Sequence, residues 1–176
     1  DGDGVFEVTY VQSFEYDENG NIISSDVYRP EISQSFELDI IVDANGNIIY
    51  EAHDYDEDGN DDVVYTYAYD SDGNLIESVE SYVNEGYTSS QFYEYDEQGN
   101  LVYESSSSDW DGDGIADSST TYFYQYDDAG NVIYESYEYD YDGDGLADDS
   151  YSYFYEYDVN GNLIYESSSS DWDNDG

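Results

Sequence analysis

Tyrosine occupies every second position from Tyr65 to Tyr69, from Tyr122 to Tyr126 and from Tyr151 to Tyr157, with Thr66, Ala68, Phe123, Gln125, Ser152, Phe154 and Glu156 between. A period of two places the tyrosines of each run on one face of an extended chain, as in a half-buried strand. Five residues of the form Asp-x-x-Gly-Asn follow each run. A second short run comes next, as in Ile48-Ile49-Tyr50-Glu51, Leu101-Val102-Tyr103-Glu104, Val132-Ile133-Tyr134-Glu135 and Leu163-Ile164-Tyr165-Glu166. These runs are rich in β-branched and aromatic residues. Between two such runs the Asp-x-x-Gly-Asn segment reads as a hairpin turn, its glycine supplying the positive φ.

The pattern recurs along the whole chain. Gly-Asn stands at Gly20, Gly46, Gly73, Gly99, Gly130 and Gly161, at spacings of 26, 27, 26, 31 and 31 residues, and an Asp precedes each Gly by three positions (Asp17, Asp43, Asp70, Asp96, Asp127, Asp158). The repeat is strand, tight turn, strand and wider loop. Six units predict an all-β fold without helices: about twelve strands in an extended antiparallel meander, superhelical or solenoid-like, with residues 1–176 forming one repeat array. An alternating tyrosine stripe is read as sheet packing rather than as a cofactor site.

The wider loops carry the candidate chemistry. Three share acidic positions 1, 3, 5 and 9 and a glycine at position 6: Asp54, Asp56, Asp58 and Asp62; Asp109, Asp111, Asp113 and Asp117; Asp140, Asp142, Asp144 and Asp148. Calcium takes six to eight oxygen ligands in a flexible sphere, and alternate carboxylates plus a main-chain carbonyl at position 7 (Asn60, Ile115, Leu146) supply them. Magnesium is the weaker choice, since it resists all-carboxylate cages. An EF-hand is not expected, because Thr120 and Tyr151 stand where its position-12 Glu belongs and no helices flank the loops. The junctions around Arg29-Pro30 and Tyr82 to Gly86 lack the carboxylate series and are expected to be metal-free, with Arg29 pairing ionically where calcium acts elsewhere.

Aromatic residues at position 2 (Tyr55, Trp110, Tyr141, Trp172) are expected to cap the sheet edge, with sugar stacking as the sharper alternative. The chain ends on Asp171-Trp172-Asp173-Asn174-Asp175-Gly176 and begins on Asp1-Gly2-Asp3-Gly4-Val5-Phe6-Glu7. These are two partial copies of one loop, so a shared site from Asp171, Asp173 and Asp175 with Asp1, Asp3, Val5 and Glu7 is expected. It implies a segment cut in phase from a longer chain, or a protomer joined head to tail.

Composition narrows the function. There are 46 acidic residues against one basic residue, Arg29, giving a formal net charge of −45. That field excludes nucleic acid and anionic membrane as partners and calls for compensating cations. Aromatics at 19% argue against the disorder that such charge would otherwise imply. Neither Cys nor Met is present, which suits an extracellular location without requiring it. No apolar run is long enough to span a membrane.

The serine runs Ser105, Ser106, Ser107, Ser108 and Ser167, Ser168, Ser169, Ser170 read as polar strand ends, with O-glycosylation as the sharper alternative; no Asn-x-Ser/Thr sequon occurs. A single histidine, His53, and no Cys, Lys or nucleophile motif leave catalysis without support.

Two family resemblances follow. The segment Tyr155 to Ile164, and with conservative changes Tyr93 to Val102, Tyr124 to Ile133 and Tyr67 to Ile76, resembles the YD (RHS-type) repeats of large bacterial surface and toxin-shell proteins. The resemblance covers about ten residues per unit and implies extended β-strips, a secreted or surface location, a prokaryotic source and no catalysis within the repeats. The nine-residue loops look like the calcium loops of integrin-type FG-GAP/VCBS repeats, which implies a ligand set of positions 1, 3, 5, 7 and 9 around one ion. The expectation is a non-enzymatic, calcium-stabilised extracellular fibre, sheath or filament subunit that binds copies of itself, with a surface adhesin stalk or carbohydrate-binding module as the alternative.

Overall fold

A computed structural model describes residues 11–172 apart from 21, 30–33 and 57; the side chains of residues 11–12, 23–29 and 34–38 are also left undescribed. Twelve strands follow one another: β1 Val11–Tyr16, β2 Ile22–Arg29, β3 Gln34–Val42, β4 Ile48–Asp54, β5 Val63–Tyr69, β6 Leu75–Tyr82, β7 Tyr87–Tyr95, β8 Leu101–Asp109, β9 Ser118–Tyr126, β10 Val132–Asp140, β11 Asp149–Tyr157 and β12 Leu163–Trp172. They form one antiparallel sheet in which spatial order equals sequence order, and no helix occurs among the described residues. The expected meander is the observed one.

The tight turns sit where the Asp-x-x-Gly-Asn segments predict them. At Asp127, Oδ1 accepts from the N–H groups of Ala129 and Asn131 at 2.9 Å, and Oδ2 accepts from Asn131 Nδ2 at 2.9 Å. Gly130 N donates to the Asp127 carbonyl at 3.0 Å, which requires the left-handed φ of 85° that glycine adopts without penalty. The same amide contacts hold the carboxyls of Asp43, Asp70, Asp96, Asp127 and Asp158 below the ordinary value of 3.8. Beside each turn the register slips by one residue, for example between Glu94 and Tyr95 or Glu156 and Tyr157, a β-bulge that absorbs the odd-numbered connection.

Register assigns the two faces. Tyr65 opposes Glu80, Tyr93 opposes Glu104, Tyr124 opposes Glu135 and Tyr155 opposes Glu166, so one face is a lattice of tyrosine and glutamate. Tyr65 Oη donates to Glu80 at 2.9 Å and Tyr155 Oη to Glu135 at 2.7 Å. Burial first, and the carboxylate second, push both phenols well above their usual range. The opposite face carries Phe92, Phe123 and Phe154 amid small hydroxyl residues, with Ser90 bonded to Ser107 at 2.9 Å and Ser152 to Ser169 at 2.8 Å. Tyr103 packs edge-on against Phe123 at 5.1 Å, and Tyr134 lies tilted against Phe154 at 4.8 Å.

No second layer covers either face among the described residues. Buried apolar side chains there are confined to Ile40, Ala52 and Val63. The accessible surface is 11770 Å², whereas a compact globule of this mass exposes about 8,700 Å².

Candidate metal centre

Strand parity decides where the acidic loops lie. Each follows an even-numbered strand (β4, β8 and β10), so all three project from one end of the sheet, while the Asp-x-x-Gly-Asn turns occupy the other. The expected placement along one edge is what the fold produces.

The three loops close by one hydrogen-bond scheme. The position-9 N–H extends the ladder: Asp62 N, Asp117 N and Asp148 N donate to the carbonyls of His53, Ser108 and Tyr139, each at 2.7 Å. The position-9 carboxylate then accepts the position-2 N–H, with Asp62 Oδ2 bonded to Tyr55 N at 2.7 Å, Asp117 Oδ2 to Trp110 N at 2.6 Å and Asp148 Oδ2 to Tyr141 N at 2.7 Å. The position-1 carboxylate accepts the position-6 glycine N–H: Asp54 from Gly59 at 2.9 Å, Asp109 from Gly114 at 2.8 Å, Asp140 from Gly145 at 2.9 Å. Asp54 and Asp140 are buried, and these N–H groups offset part of the cost of withdrawing a carboxylate from water.

The fold gathers three carboxylates per loop: Asp54, Asp56 and Asp58; Asp109, Asp111 and Asp117; Asp140, Asp142 and Asp148, with one oxygen from each residue lying within 4.8 Å of the others. Ligands at 2.3–2.6 Å from one ion sit at most about 5 Å apart. The trios therefore fit a single hard cation in both spacing and donor type. Each carboxylate oxygen has a second lone pair, so the N–H bonds do not exhaust the donor set.

The trios are not the same subset of the predicted ligands. Asp113 and Asp144 lie outside theirs and accept from Ile115 N and Leu146 N, each at 2.8 Å. Asp62 lies outside the first trio, and its Oδ1 accepts from Asn84 Nδ2 at 2.8 Å. Asn60 donates both its N–H and its side-chain amide to Asp58, and Ile115 and Leu146 are exposed at the loop tips. Asp171 sits on β12; the rest of the shared terminal site (Asp173, Asp175, Asp1, Asp3, Val5, Glu7) lies outside the described residues. Pro30 lies there too, as does the side chain of Arg29, whose backbone pairs with Gln34.

The position-2 aromatics do cap their neighbours in part. Tyr55 stacks on His53 at 5.4 Å, Tyr141 on Tyr139 at 5.7 Å, and Trp172 packs edge-on against Tyr151 at 5.3 Å. Ser105–Ser108 lie within β8, an interior strand and half-buried, whereas Ser168, Ser169 and Ser170 of β12 are exposed.

The residue that sequence reasoning missed is Asn84. It belongs to a junction expected to be idle, and it reaches the acidic loop of the preceding unit. Its signal would have been its place in the next loop on the same side, 22 residues after Asp62, which has meaning only once the register is known.

The chain is similar to part of a solved structure described as the crystal structure of TcdB2-TccC3 without its hypervariable C-terminal region, at 14% identity with a TM-score of 0.46. The alignment covers 92% of this chain and 11% of that one. No protein-family model and no curated protein matches the sequence.

Proposed function

We propose that this chain is a non-catalytic, extracellular β-repeat segment whose acidic loops take calcium, and that it serves as a structural element of a fibre, sheath or filament assembled from copies of itself. The observation that carries the reading is the identical hydrogen-bond closure of three loops, each gathering three carboxylates on the same side of the sheet. Calcium suits them because each site is all-oxygen, acidic and formed within a single loop. With the loops empty, clustered carboxylates repel one another. With ions bound, binding free energy becomes folding free energy.

Self-association is supported by the uncovered sheet, because aromatic surface on both faces favours burial against a second layer. The test is electron microscopy of the material before and after calcium chelation. Filaments that fray or dissolve on chelation are expected; monodisperse particles indifferent to chelation would refute the reading. A carbohydrate-binding module is the second reading, favoured by the row of exposed position-2 aromatics Trp110, Tyr141 and Trp172 along the loop side.

A further inference from the structure

The loops on the acidic side touch one another. At Gly143, position 4 of its loop, an added Cβ would collide with the Ala116 carbonyl oxygen and lie 3.0 Å from both Asp117 C and Asp117 Cα. Gly143 is therefore pressed onto positions 8 and 9 of the preceding loop. Gly112, position 4 of that loop, abuts the junction before it in the same way, 2.7 Å separating its virtual Cβ from the Gly86 carbonyl oxygen. The same junction reaches back to the loop before it, Val83 N donating to the Asp62 carbonyl at 2.9 Å beside the Asn84 bond to the Asp62 carboxylate. In two places, then, the next loop in the column leans on a position-9 aspartate.

We infer that these contacts make the sites a cooperative column, in which a cation held by Asp140, Asp142 and Asp148 raises the affinity of the site formed by Asp109, Asp111 and Asp117. This rests on the reading that the loops take calcium. The route is short and fully specified. Asp140 Oδ1 accepts from Gly143 N at 2.7 Å, so ordering Asp140 fixes Gly143. Gly143 bears on the Asp117 backbone. Asp117 is a member of the other trio and holds Trp110 N. Ordering one loop therefore prepays part of the ordering cost of the next, which is positive coupling without any ligand in common.

The sign separates this from plain electrostatics. Through the field alone, each bound cation lowers the negative potential felt by the next, so field coupling weakens successive binding. Contact coupling strengthens it. In 1 M KCl the field decays over about 3 Å and the contact term is isolated.

The experiment is a calcium titration of the full chain in 1 M KCl, followed by amide NMR. Gly114 and Gly145 report their own loops, since each donates to its position-1 aspartate. In the native sequence both curves should be steeper than a single-site isotherm. Asp142→Asn should move the Gly114 midpoint to roughly tenfold higher calcium, although Asp142 belongs to the other loop. That displacement should vanish in a Gly143→Ala background, where the contact is broken. Single-site curves with an unmoved Gly114 midpoint in Asp142→Asn would overturn the coupling and leave the calcium reading standing, and that arm does not depend on Gly143→Ala folding. A displacement that persists undiminished in Gly143→Ala would overturn the Gly143 route. Glycine amides that do not respond to calcium at all would overturn the coupling together with the reading beneath it.

Discussion

Removing calcium is the perturbation with the largest expected effect. Three loops gather complete carboxylate trios, and a site that binds the native state alone adds about 2.7 kcal/mol when free ligand is a hundredfold above Kd. Three such sites stabilise the fold by roughly 8 kcal/mol. For a chain of this length one kcal/mol moves Tm by about 2–4 °C, so saturating calcium should raise the transition by roughly 16–32 °C.

The assay is differential scanning calorimetry with calcium or a chelator, repeated with magnesium and in 1 M KCl. The salt arm matters because a chain of net charge −45 gains from any divalent ion that screens it. Screening would be matched by magnesium and lost in high salt, whereas loop binding is selective and survives. Asp111→Asn should remove about a third of the shift by disabling one trio, and about half once the tenfold loss of coupling to the neighbouring site is included. A transition that does not move on chelation, or that moves equally with magnesium, would refute the reasoning.

Other tests address the sheet itself. Val63 is buried at 3% exposure, so Val63→Ala should cost about 1.5–2.5 kcal/mol by loss of two carbons and the space they leave, measured by urea denaturation, while Val159→Ala in an exposed turn should change nothing. The turn aspartates Asp43, Asp70, Asp96, Asp127 and Asp158 have carboxyls lowered by the asparagine four residues on, chiefly through its backbone N–H at Asp43 and its side-chain amide at the others. Their contribution is complete above pH 3.8 and is lost as pH falls through the lowered values. Carboxyl-detected NMR should find them titrating below 3.8, and titration at or above it would contradict the turn geometry. Tyr65 and Tyr155 are raised above 10, so their contribution is present below pH 10 and lost as pH climbs toward the folded values. Tyrosinate absorbance should lag its ordinary midpoint and rise together with loss of sheet circular dichroism; ionisation near 10 with the sheet intact would exclude the tyrosine–glutamate lattice.

Much of this structure was legible because the determining signals are local. Alternation at Tyr151 to Tyr157 and the turn at Asp158 to Asn162 fix a hairpin by themselves, and six such statements fix a meander when consecutive strands pair. The acidic loops were legible for the same reason, since the hydrogen bonds that close each loop run between its own positions 1 and 6 and 2 and 9. What remained hidden depends on register between units. Asn84 reaches Asp62 across 22 residues, and Gly143 meets Ala116, the contact partner being set by how β8 to β11 align rather than by any nearby residue. The split that leaves Asp113 and Asp144 outside their trios while Asp58 belongs to its own was hidden because ligand spacing alone does not fix which way each carboxylate turns.

Every ladder in the sheet joins strands adjacent in sequence, from β1–β2 to β11–β12. Tension applied between β1 and β12 acts across the strands and opens hydrogen bonds one after another, the geometry of a zipper rather than of a shear joint. Such a strip yields at low force and pays out length in steps, each repeat of up to 31 residues releasing roughly 100 Å of contour. The inter-loop contacts stand across that path like teeth, so the force at which a strip begins to lengthen would be set on the loop side of the sheet, and the distance it can travel by the number of hairpins.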